Sequence, residues 1–369
     1  QFLGLLDIFS GGGISTLSIV MLGVGPYITA SIIVQLLTMM FPSMKAKMQE
    51  EGEAGRQKLS QYSRYAAVPL AAIQAFAFIN LFQNQNVIPH FSGLTMVVSI
   101  LVITAGSLLL MWIGELVSEF GIGNGVSLII FAGIVAALPK TLFQIIAGFD
   151  IANLPFYLLS LAIGLVVIIA VVVVTEAERS VPVTYAKQVR GNKVYGGVST
   201  YLPLRLNQAG VIPIIFALSI LIFPQIISNY FSNSSNLAIA DAATSVSSFL
   251  ADPWTHAILY FVLVFIFTYF YTAVTFDPKQ ISENLQRGGA FIPGVRPGES
   301  TMEYLGKIVT RITLVGAIFL AIIAVLPLVT QGITGNQSLA IGGTALLIVV
   351  SVVLDLLKKI DAQVSMREY

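Results

Sequence analysis

Side chains able to do catalytic chemistry are scarce in this sequence. It contains no cysteine and two histidines, His90 and His256. Neither histidine belongs to an H-E-x-x-H pattern, and neither G-x-S-x-G nor G-x-x-x-x-G-K-[ST] occurs, so the usual signatures of a metalloprotease, a hydrolase and a phosphate-binding loop are missing. We therefore expect no enzymatic activity, no metal site and no cofactor.

One glycine-rich stretch looks like a dinucleotide-binding fingerprint only superficially. It runs from Gly121 through Gly123 and Asn124 to Gly125. No strand pattern precedes it, and no acidic residue follows at the usual distance. The stretch instead predicts a tight turn in which the Asn124 side chain caps the next helix.

The composition sets the class of protein. Of 369 residues, 56% are hydrophobic and 10% are charged, whereas a soluble domain is about 25% charged. The mean hydropathy is +0.87. These values predict an all-α, polytopic helical membrane protein, in which the distribution of charge matters more than the net charge of +1.

Long charge-free runs mark the predicted membrane spans. Two of the runs are long enough for two crossings each, and they divide at Gln83–Asn86 and at Gln331–Gln337. The sequence thus predicts nine spans, near 22–41, 62–81, 95–115, 125–138, 154–176, 208–228, 255–275, 308–329 and 340–358.

The basic residues predict the orientation of these spans. When the loops alternate between the two sides, every Lys and Arg except Lys140 falls on one side. Cytoplasmic loops carry the Lys/Arg excess, so that side and the C-terminal tail are expected to be cytoplasmic. Residue 1 is then expected to lie outside. This start predicts one further helix upstream, ten in all, arranged as two halves of five.

The stretch 10–35 is hydrophobic but repeatedly interrupted by Gly11, Gly12, Gly13 and the Gly23–Pro26 segment. Two interpretations remain open, a half-inserted segment beside a cavity and a kinked helix in a bundle.

No predicted span has a charge near its centre, which disfavours ion pumps and proton-coupled transporters. A carrier for neutral solutes remains an alternative.

Inside the spans, the pairs Val24 and Ile28, and Val126 and Ile130, are spaced four residues apart, so each pair shares one helix face. By themselves such pairs indicate ordinary packing. The polar residues in or at the ends of spans are Gln35, Gln74 and Asn207. The ordinary interpretation is hydrogen bonding between helices, worth about 0.6 kcal/mol each.

Several stretches resemble the SecY family of bacterial protein-translocation channels. They extend over nearly the whole chain: FSGGGISTLSI (9–19), GPYITASIIVQLL (25–37), EGEAGRQKLSQYSRY (51–65), GIGNGVSLIIFAGIVAALP (121–139), NQAGVIPIIFA (207–217), NLQRGGAFIPGVRPGEST (284–301), TRITLVGA (310–317) and GGTALLIVV (342–350). The family has ten helices in two pseudo-symmetric halves around a pore, so the first helix is expected to be absent from this sequence.

The resemblance implies a division of the chain. It consists of an external plug segment (1–22), the rest of the N-terminal half (23–138), an external hinge (139–153), the C-terminal half (154–358) with cytoplasmic loops 175–207 and 276–311, and a cytoplasmic tail (359–369). The plug is expected at Ile8, Phe9, Ser10, Gly11, Gly12, Gly13 and Ile14.

The resemblance also assigns roles to single residues. The pore ring is expected at Val24, Ile28, Val126, Ile130, Ile215 and Ile348, and a ring of branched apolar side chains resists wetting and ion flow. The lateral gate is expected at Gln35, Gln74 and Asn207. Docking of the motor or the ribosome is expected at Arg296, foremost, and at Arg287, Lys279, Lys187, Arg190, Lys193 and Arg205.

The implied function is a passive channel in the bacterial plasma membrane. It would translocate unfolded secretory proteins and release transmembrane segments laterally into the lipid bilayer. The implied partners are small SecE-like and SecG-like membrane subunits, a SecA-type motor ATPase, the ribosome, and signal peptides and nascent chains. A secondary transporter of a small neutral solute is the competing hypothesis.

Overall fold

The computed structural model describes most of the chain. The described residues are 18–41, 53–84, 88–89, 91–147, 151, 154–186, 188–190, 193–195, 197, 199–231, 237–334 and 342–368. The predicted plug, from Ile8 to Ile14, and the predicted docking residue Lys187 lie outside these ranges.

Helices make up most of the described chain. In order they are α1 (Gly25–Met40), α2 (Glu53–Asn84), α3 (Gly93–Phe120), α4 (Gly125–Ala147), α5 (Leu154–Glu176), α6 (Ile212–Phe231), α7 (Leu237–Ala251), α8 (Pro253–Thr275), α9 (Pro278–Arg287), α10 (Glu299–Thr334) and α11 (Gly342–Glu368). Each of the nine predicted spans overlaps one of these helices. Helices α7 and α9 were not predicted.

Length and composition allow several helices to cross a membrane. Among the described residues, five helical segments are long and apolar enough to do so: Gln57–Gln83, Gly93–Phe120, Tyr157–Glu176, Pro253–Arg287 and Glu299–Thr330. Three shorter apolar helical segments accompany them, Gly25–Thr38, Gly125–Pro139 and Ile212–Leu221. The fold is therefore that of a polytopic helical membrane protein.

Several helices continue past the predicted spans. Helix α2 begins at Glu53 and α10 at Glu299, and α11 runs through most of the predicted tail to Glu368. Charge-free runs mark only the apolar part of a helix, whereas Glu, Lys and Gln are good helix formers that prolong it beyond the membrane. Helix α4 likewise passes Pro139 and ends at Ala147, inside the segment predicted as a hinge.

Short strands, which were not predicted, occupy the loops predicted to be cytoplasmic. Strand β1 (Glu178–Tyr185) pairs antiparallel with β4 (Ser199–Arg205), from Glu178 opposite Arg205 to Thr184 opposite Ser199. Strand β5 (Ala290–Phe291) pairs with the other edge of β1. Between β1 and β4, strands β2 (Gln188–Arg190) and β3 (Lys193–Tyr195) form a separate antiparallel pair.

The two basic loops share one small hydrophobic core. Val181, Val183 and Leu204 come from the first loop, and Ala290 and Ile292 come from the second. The core is completed from α10 by Leu305, Ile308 and Val309. The two loops therefore fold as one unit, stabilised by side chains from both.

Candidate functional site

A tight turn starts α1 and fixes the position of Val24. The Gly23 backbone has φ +57°, a left-handed conformation that favours glycine. The Ser107 hydroxyl donates a hydrogen bond of 2.8 Å to the Gly23 carbonyl, which ties the turn to α3. Pro26 lies in the first turn of α1, where its missing N–H costs nothing. Val24 is left 1% exposed.

Helix α4 starts at the glycine-rich turn that the sequence predicted. The Asn124 side-chain oxygen accepts hydrogen bonds from the backbone N–H groups of Val126 (3.0 Å) and Ser127 (3.2 Å). The predicted helix cap is thus confirmed. The next residue, Gly125, packs so closely that a Cβ there would overlap the Gly114 carbonyl oxygen of α3. This contact positions the first turns of α4.

The six residues predicted as a pore ring lie in one hydrophobic cluster, which we call the apolar cluster. They come from four helices or their caps: Val24 caps α1 and Ile28 lies in α1, Val126 and Ile130 lie in α4, Ile215 in α6 and Ile348 in α11. Four helices that are distant in sequence therefore meet at these side chains.

Sequence reasoning missed other members of the apolar cluster. Ile134 and Val352 are buried in it, as is Ala345. Ile134 follows Ile130 by four residues, and Val352 follows Ile348 by the same interval, so both continue a helix face that had already been identified. An extension of the four-residue pattern would have found them.

A polar cavity of about 760 Å³ lies against the apolar cluster. Ile28, Val126, Ile130 and Ile215 form part of its wall. The rest of the wall is largely polar and includes Tyr27, Ser31, Gln35, Gln57, Ser60, Gln61, Arg64, Glu115, Ser118, Glu119, Asn124 and Ser127. A cavity with many polar side chains in its wall thus ends at branched apolar side chains.

An ion pair on the cavity wall joins two helices. The Arg64 Nε atom of α2 lies 2.5 Å from Glu115 Oε1 of α3. The Arg64 side chain is about half exposed, and exposed pairs contribute about 0–1 kcal/mol. Both residues lie at ends of apolar runs that the charge pattern predicts to be cytoplasmic. The pair therefore joins α2 to α3 at the cavity wall and adds little to the stability of the fold.

The predicted gate residues lie on three separate segments. Gln35 is on α1 and lines the polar cavity, Gln74 is on α2, and Asn207 lies just before α6. The Asn207 amide donates a hydrogen bond of 3.2 Å to the Gly210 carbonyl. Its Oδ1 atom is buried, and within the described part of the chain this atom has no hydrogen-bond partner.

Asn207 also lines a second, smaller cavity of about 310 Å³. Ion pairs surround this space, since Lys359 Nζ lies 2.6 Å from Asp355 Oδ2 and Lys358 Nζ lies 2.9 Å from Glu176 Oε1. The second pair joins α11 to the last residue of α5. The Glu176 carboxylate at the end of α5 therefore pairs with a lysine of α11.

Arg296 is exposed at the tip of a constrained turn between β5 and α10. Gly294 and Gly298 flank it with φ of +83° and +97°. The Thr301 hydroxyl donates to the Arg296 carbonyl at 2.9 Å, and the Ser282 hydroxyl donates to the Gly298 carbonyl at 2.6 Å. The turn therefore presents the guanidinium on a defined backbone.

The other predicted docking residues are spread over the same folded unit. Lys279 is exposed on α9, and Arg287 ends α9 with its guanidinium 3.4 Å from Glu283. Arg205 is exposed at the end of β4. Arg190 and Lys193 are opposite each other in the β2–β3 pair. Arg205, Lys279, Arg287 and Arg296 thus lie on the segments around the core of this unit, whereas Arg190 and Lys193 lie on the separate β2–β3 pair.

Comparison with known proteins identifies the family. The model of the SecY family matches residues 18–357. The protein translocase subunit SecY of Mycobacterium tuberculosis is 42% identical over 383 residues, covering 100% of this chain and 86% of the relative. That of Thermotoga maritima is also 42% identical, over 371 residues, covering 100% of this chain and 83% of the relative.

Solved channel structures share the fold. A structure described as that of a protein-conducting channel matches with a TM-score of 0.64 at 20% identity, covering 96% of this chain and 83% of that one. A second, concerned with the plug domain of a SecY protein, matches with a TM-score of 0.63 at 19% identity, covering 97% and 89%. The match of the family model and the 42% identity over the full chain show that the chain belongs to the SecY family.

Proposed function

We propose that the chain is the central subunit of a protein-conducting channel. Unfolded secretory proteins cross the plasma membrane through it, and transmembrane segments leave it sideways into lipid. Membership of a family of protein translocase subunits supports this function. One observation in the structure carries the residue-level proposal: six branched apolar side chains from four helices converge beside a polar cavity.

The apolar cluster is the seal of this channel. A narrow opening lined by branched apolar side chains expels water, and without water an ion loses its hydration shell. A polypeptide can displace the same side chains. Its uncharged residues lose little free energy when they exchange water for apolar contact, whereas an ion loses its hydration shell. The polar cavity of about 760 Å³ would then be the cytoplasmic entrance.

The gate is proposed at Gln35, Gln74 and Asn207. Helices α1 and α2 of the N-terminal half both contact α6 of the C-terminal half. The proposed gate is this contact between the two halves. The buried Oδ1 of Asn207 lacks a donor within the described structure. A residue without its full set of hydrogen bonds is less costly to move. Opening of this contact would let an apolar segment enter lipid.

The folded unit of the two basic loops is the proposed docking surface for the energy source. A channel with no chemistry of its own needs a motor or the ribosome, and the exposed Arg296 fits an acidic or phosphate-bearing partner. A channel in the canine ribosome–channel complex from the endoplasmic reticulum has the same fold, with a TM-score of 0.61 at 18% identity, covering 96% of this chain and 83% of that one.

The finer partners belong to the same proposal. SecE-like and SecG-like subunits would pack on the exposed apolar helix faces, and a SecA-type motor or the ribosome would dock on the basic unit. The proposal also keeps the predicted division of the chain into segments that end at residues 22, 138 and 153. It places the plug between Ile8 and Ile14 and the C-terminal tail in the cytoplasm. The opposing hypothesis, a carrier of neutral solutes, would not need an extended docking unit.

A disulfide experiment tests passage through the apolar cluster. The sequence has no native cysteine, so Ile130→Cys introduces a single thiol beside the cavity. A secretory precursor carrying one cysteine is arrested midway through transport in vesicles that contain the variant. We expect a disulfide between the two chains that requires both the precursor and the motor.

The matched control is Val135→Cys. Val135 lies on the same helix α4 but is exposed and is not part of the cavity wall. We expect no disulfide from this position. Equal crosslinking from Ile130 and Val135, or none from either, would show that the polypeptide does not pass the apolar cluster.

A further inference from the structure

Helix α7, Leu237–Ala251, joins α6 to α8 on the predicted external side. One side of α7 packs on the protein, where Leu250 is buried and the Ser228 hydroxyl of α6 donates a hydrogen bond to the Ala243 carbonyl. Helix α7 is therefore held against α6.

A second side of α7 is apolar and exposed. Ala242, Val246 and Phe249 are spaced by four and three residues, so they share one face. Val246 is 46% exposed and Phe249 is 59% exposed. Trp254, which follows in the first turn of α8, is 60% exposed.

The third side of α7 is polar and adjoins the apolar face. Thr244, Ser245 and Ser248 are exposed there, and their hydroxyls donate to carbonyl oxygens of α7 itself. The one charged residue of α7 is Asp241, also on this side. A helix with a buried side, an apolar side and a polar side matches the boundary between protein, lipid and water.

The helix that follows α7 carries an exposed apolar stripe of its own. Trp254, Ile258, Val262 and Ile266 follow at four-residue intervals, and all four are exposed. Helix α8 belongs to a segment that is long and apolar enough to cross a membrane. Lipid tails are the partner that covers such a stripe, since water around it would be unfavourable.

We propose that α7 lies flat in the lipid–water interface on the external side of the plasma membrane, with Val246 and Phe249 inserted into lipid and Trp254 at the level of the headgroups. Its partner is the lipid surface itself. Tryptophan prefers this depth because its ring is apolar and its N–H remains near water. Lipid would then hold the external ends of α6 and α8, and α6 carries Ile215 of the apolar cluster.

Asp252 limits how deeply this region inserts. Its carboxylate accepts hydrogen bonds from the Thr255 backbone N–H at 2.9 Å and from the Thr255 hydroxyl at 2.8 Å. These hydrogen bonds hold the pKa of Asp252 below its usual range, so it stays ionised. An ionised carboxylate between Phe249 and Trp254 must remain in the hydrated headgroup layer.

The two tryptophans of the chain make the depth measurable. Trp112→Phe leaves Trp254 as the sole tryptophan. The protein is reconstituted, with partner subunits whose own tryptophans are replaced by phenylalanine, into phosphatidylethanolamine and phosphatidylglycerol vesicles containing phosphatidylcholine brominated near the headgroup or near the chain end. We expect Trp254 fluorescence to be quenched more strongly by the shallow bromines, and only weakly by aqueous acrylamide.

A matched pair of reporters tests α7 itself, in a background without native tryptophan. Phe249→Trp and Ser248→Trp are adjacent in sequence but lie on the apolar and polar sides. We expect shallow bromines to quench the first and acrylamide to quench the second.

Equal acrylamide quenching of both would place α7 in water. A Phe249→Trp reporter protected from both quenchers would mean that protein covers this face, and stronger quenching by deep bromines would mean that α7 spans the membrane. Each of these results would overturn the proposal, and none depends on transport activity.

Discussion

At the scale of single residues, Ile130 joins the apolar cluster to the polar cavity. Its side chain is 4% exposed and is nevertheless part of the cavity wall. Ile130→Asn would place an amide at the proposed seal, where it can hold water. We expect ion conductance of the resting channel to rise about tenfold, the effect of lowering a barrier by about 1.4 kcal/mol. Conductance across a planar bilayer measures it.

Val135→Asn is the control for this change, because Val135 is on the same helix but away from the cavity. Its resting conductance should match that of the parent protein. A leak of the same size in both variants would point to a general loosening of α4. It would contradict the proposal that Ile130 forms part of the seal.

The single residues also mark what a sequence can predict about this site. Four-residue spacing predicts that Val126 and Ile130 share a face, and the Asn124 cap follows from one local pattern. The meeting of Ile130 with Ile348 depends on how α4 packs against α11, which no local pattern encodes. The resemblance named all six ring residues, and the structure brings them into one cluster.

At the scale of elements, the contact between α3 and α4 relies on a missing side chain. A Cβ at Gly125 would overlap the Gly114 carbonyl oxygen and would approach the Val117 side chain. Gly125→Ala should therefore push the two helices apart and cost about 1–3 kcal/mol. The measurement is the midpoint of thermal unfolding in detergent.

Gly93→Ala provides the comparison for that substitution. Gly93 is the first residue of α3, as Gly125 is of α4, but a Cβ there would meet nothing within 4 Å. This variant should be neutral or slightly stabilising, because alanine restricts the unfolded chain. If both variants unfold at the temperature of the parent, the close helix contact is not required.

The β-strands show why some elements escaped prediction. Strand β1 obtains one neighbour, β4, from the same loop and the other, β5, from beyond α8 and α9. The alternation of β1 is visible in Val181 and Val183, but the surrounding charges suggested an ordinary loop. Pairing between distant segments is set by tertiary contacts, which override weak local preference.

At the scale of the whole molecule, membrane orientation does not account for every feature of the two large basic loops. The positive-inside rule explains the sign of the charge in the two large loops. It does not explain why both loops contribute to one core, with Val183 from the first and Ile292 from the second. A folded unit that presents exposed arginines fits the proposed docking of a motor or a ribosome.

Arg296 gives this view its sharpest test. Within the described part of the chain it is exposed and has no ion pair, so it is available to ribosomal RNA phosphate. Arg296→Ala should weaken binding of empty ribosomes to channel vesicles. It should also lower the slope of log affinity against log salt by about 1, the loss of one phosphate contact. Salt titration of co-sedimentation measures both.

Arg287→Ala separates a specific contact from general charge. Arg287 lies in the same unit, but its guanidinium already pairs with Glu283 at 3.4 Å, so removing it should reduce ribosome affinity less than Arg296→Ala does. Both substitutions remove one positive charge, and both side chains are exposed, so folding should be preserved in each. Equal loss of affinity would mean that ribosomes respond only to net charge. In that case the constrained turn around Arg296 would have no special part in docking.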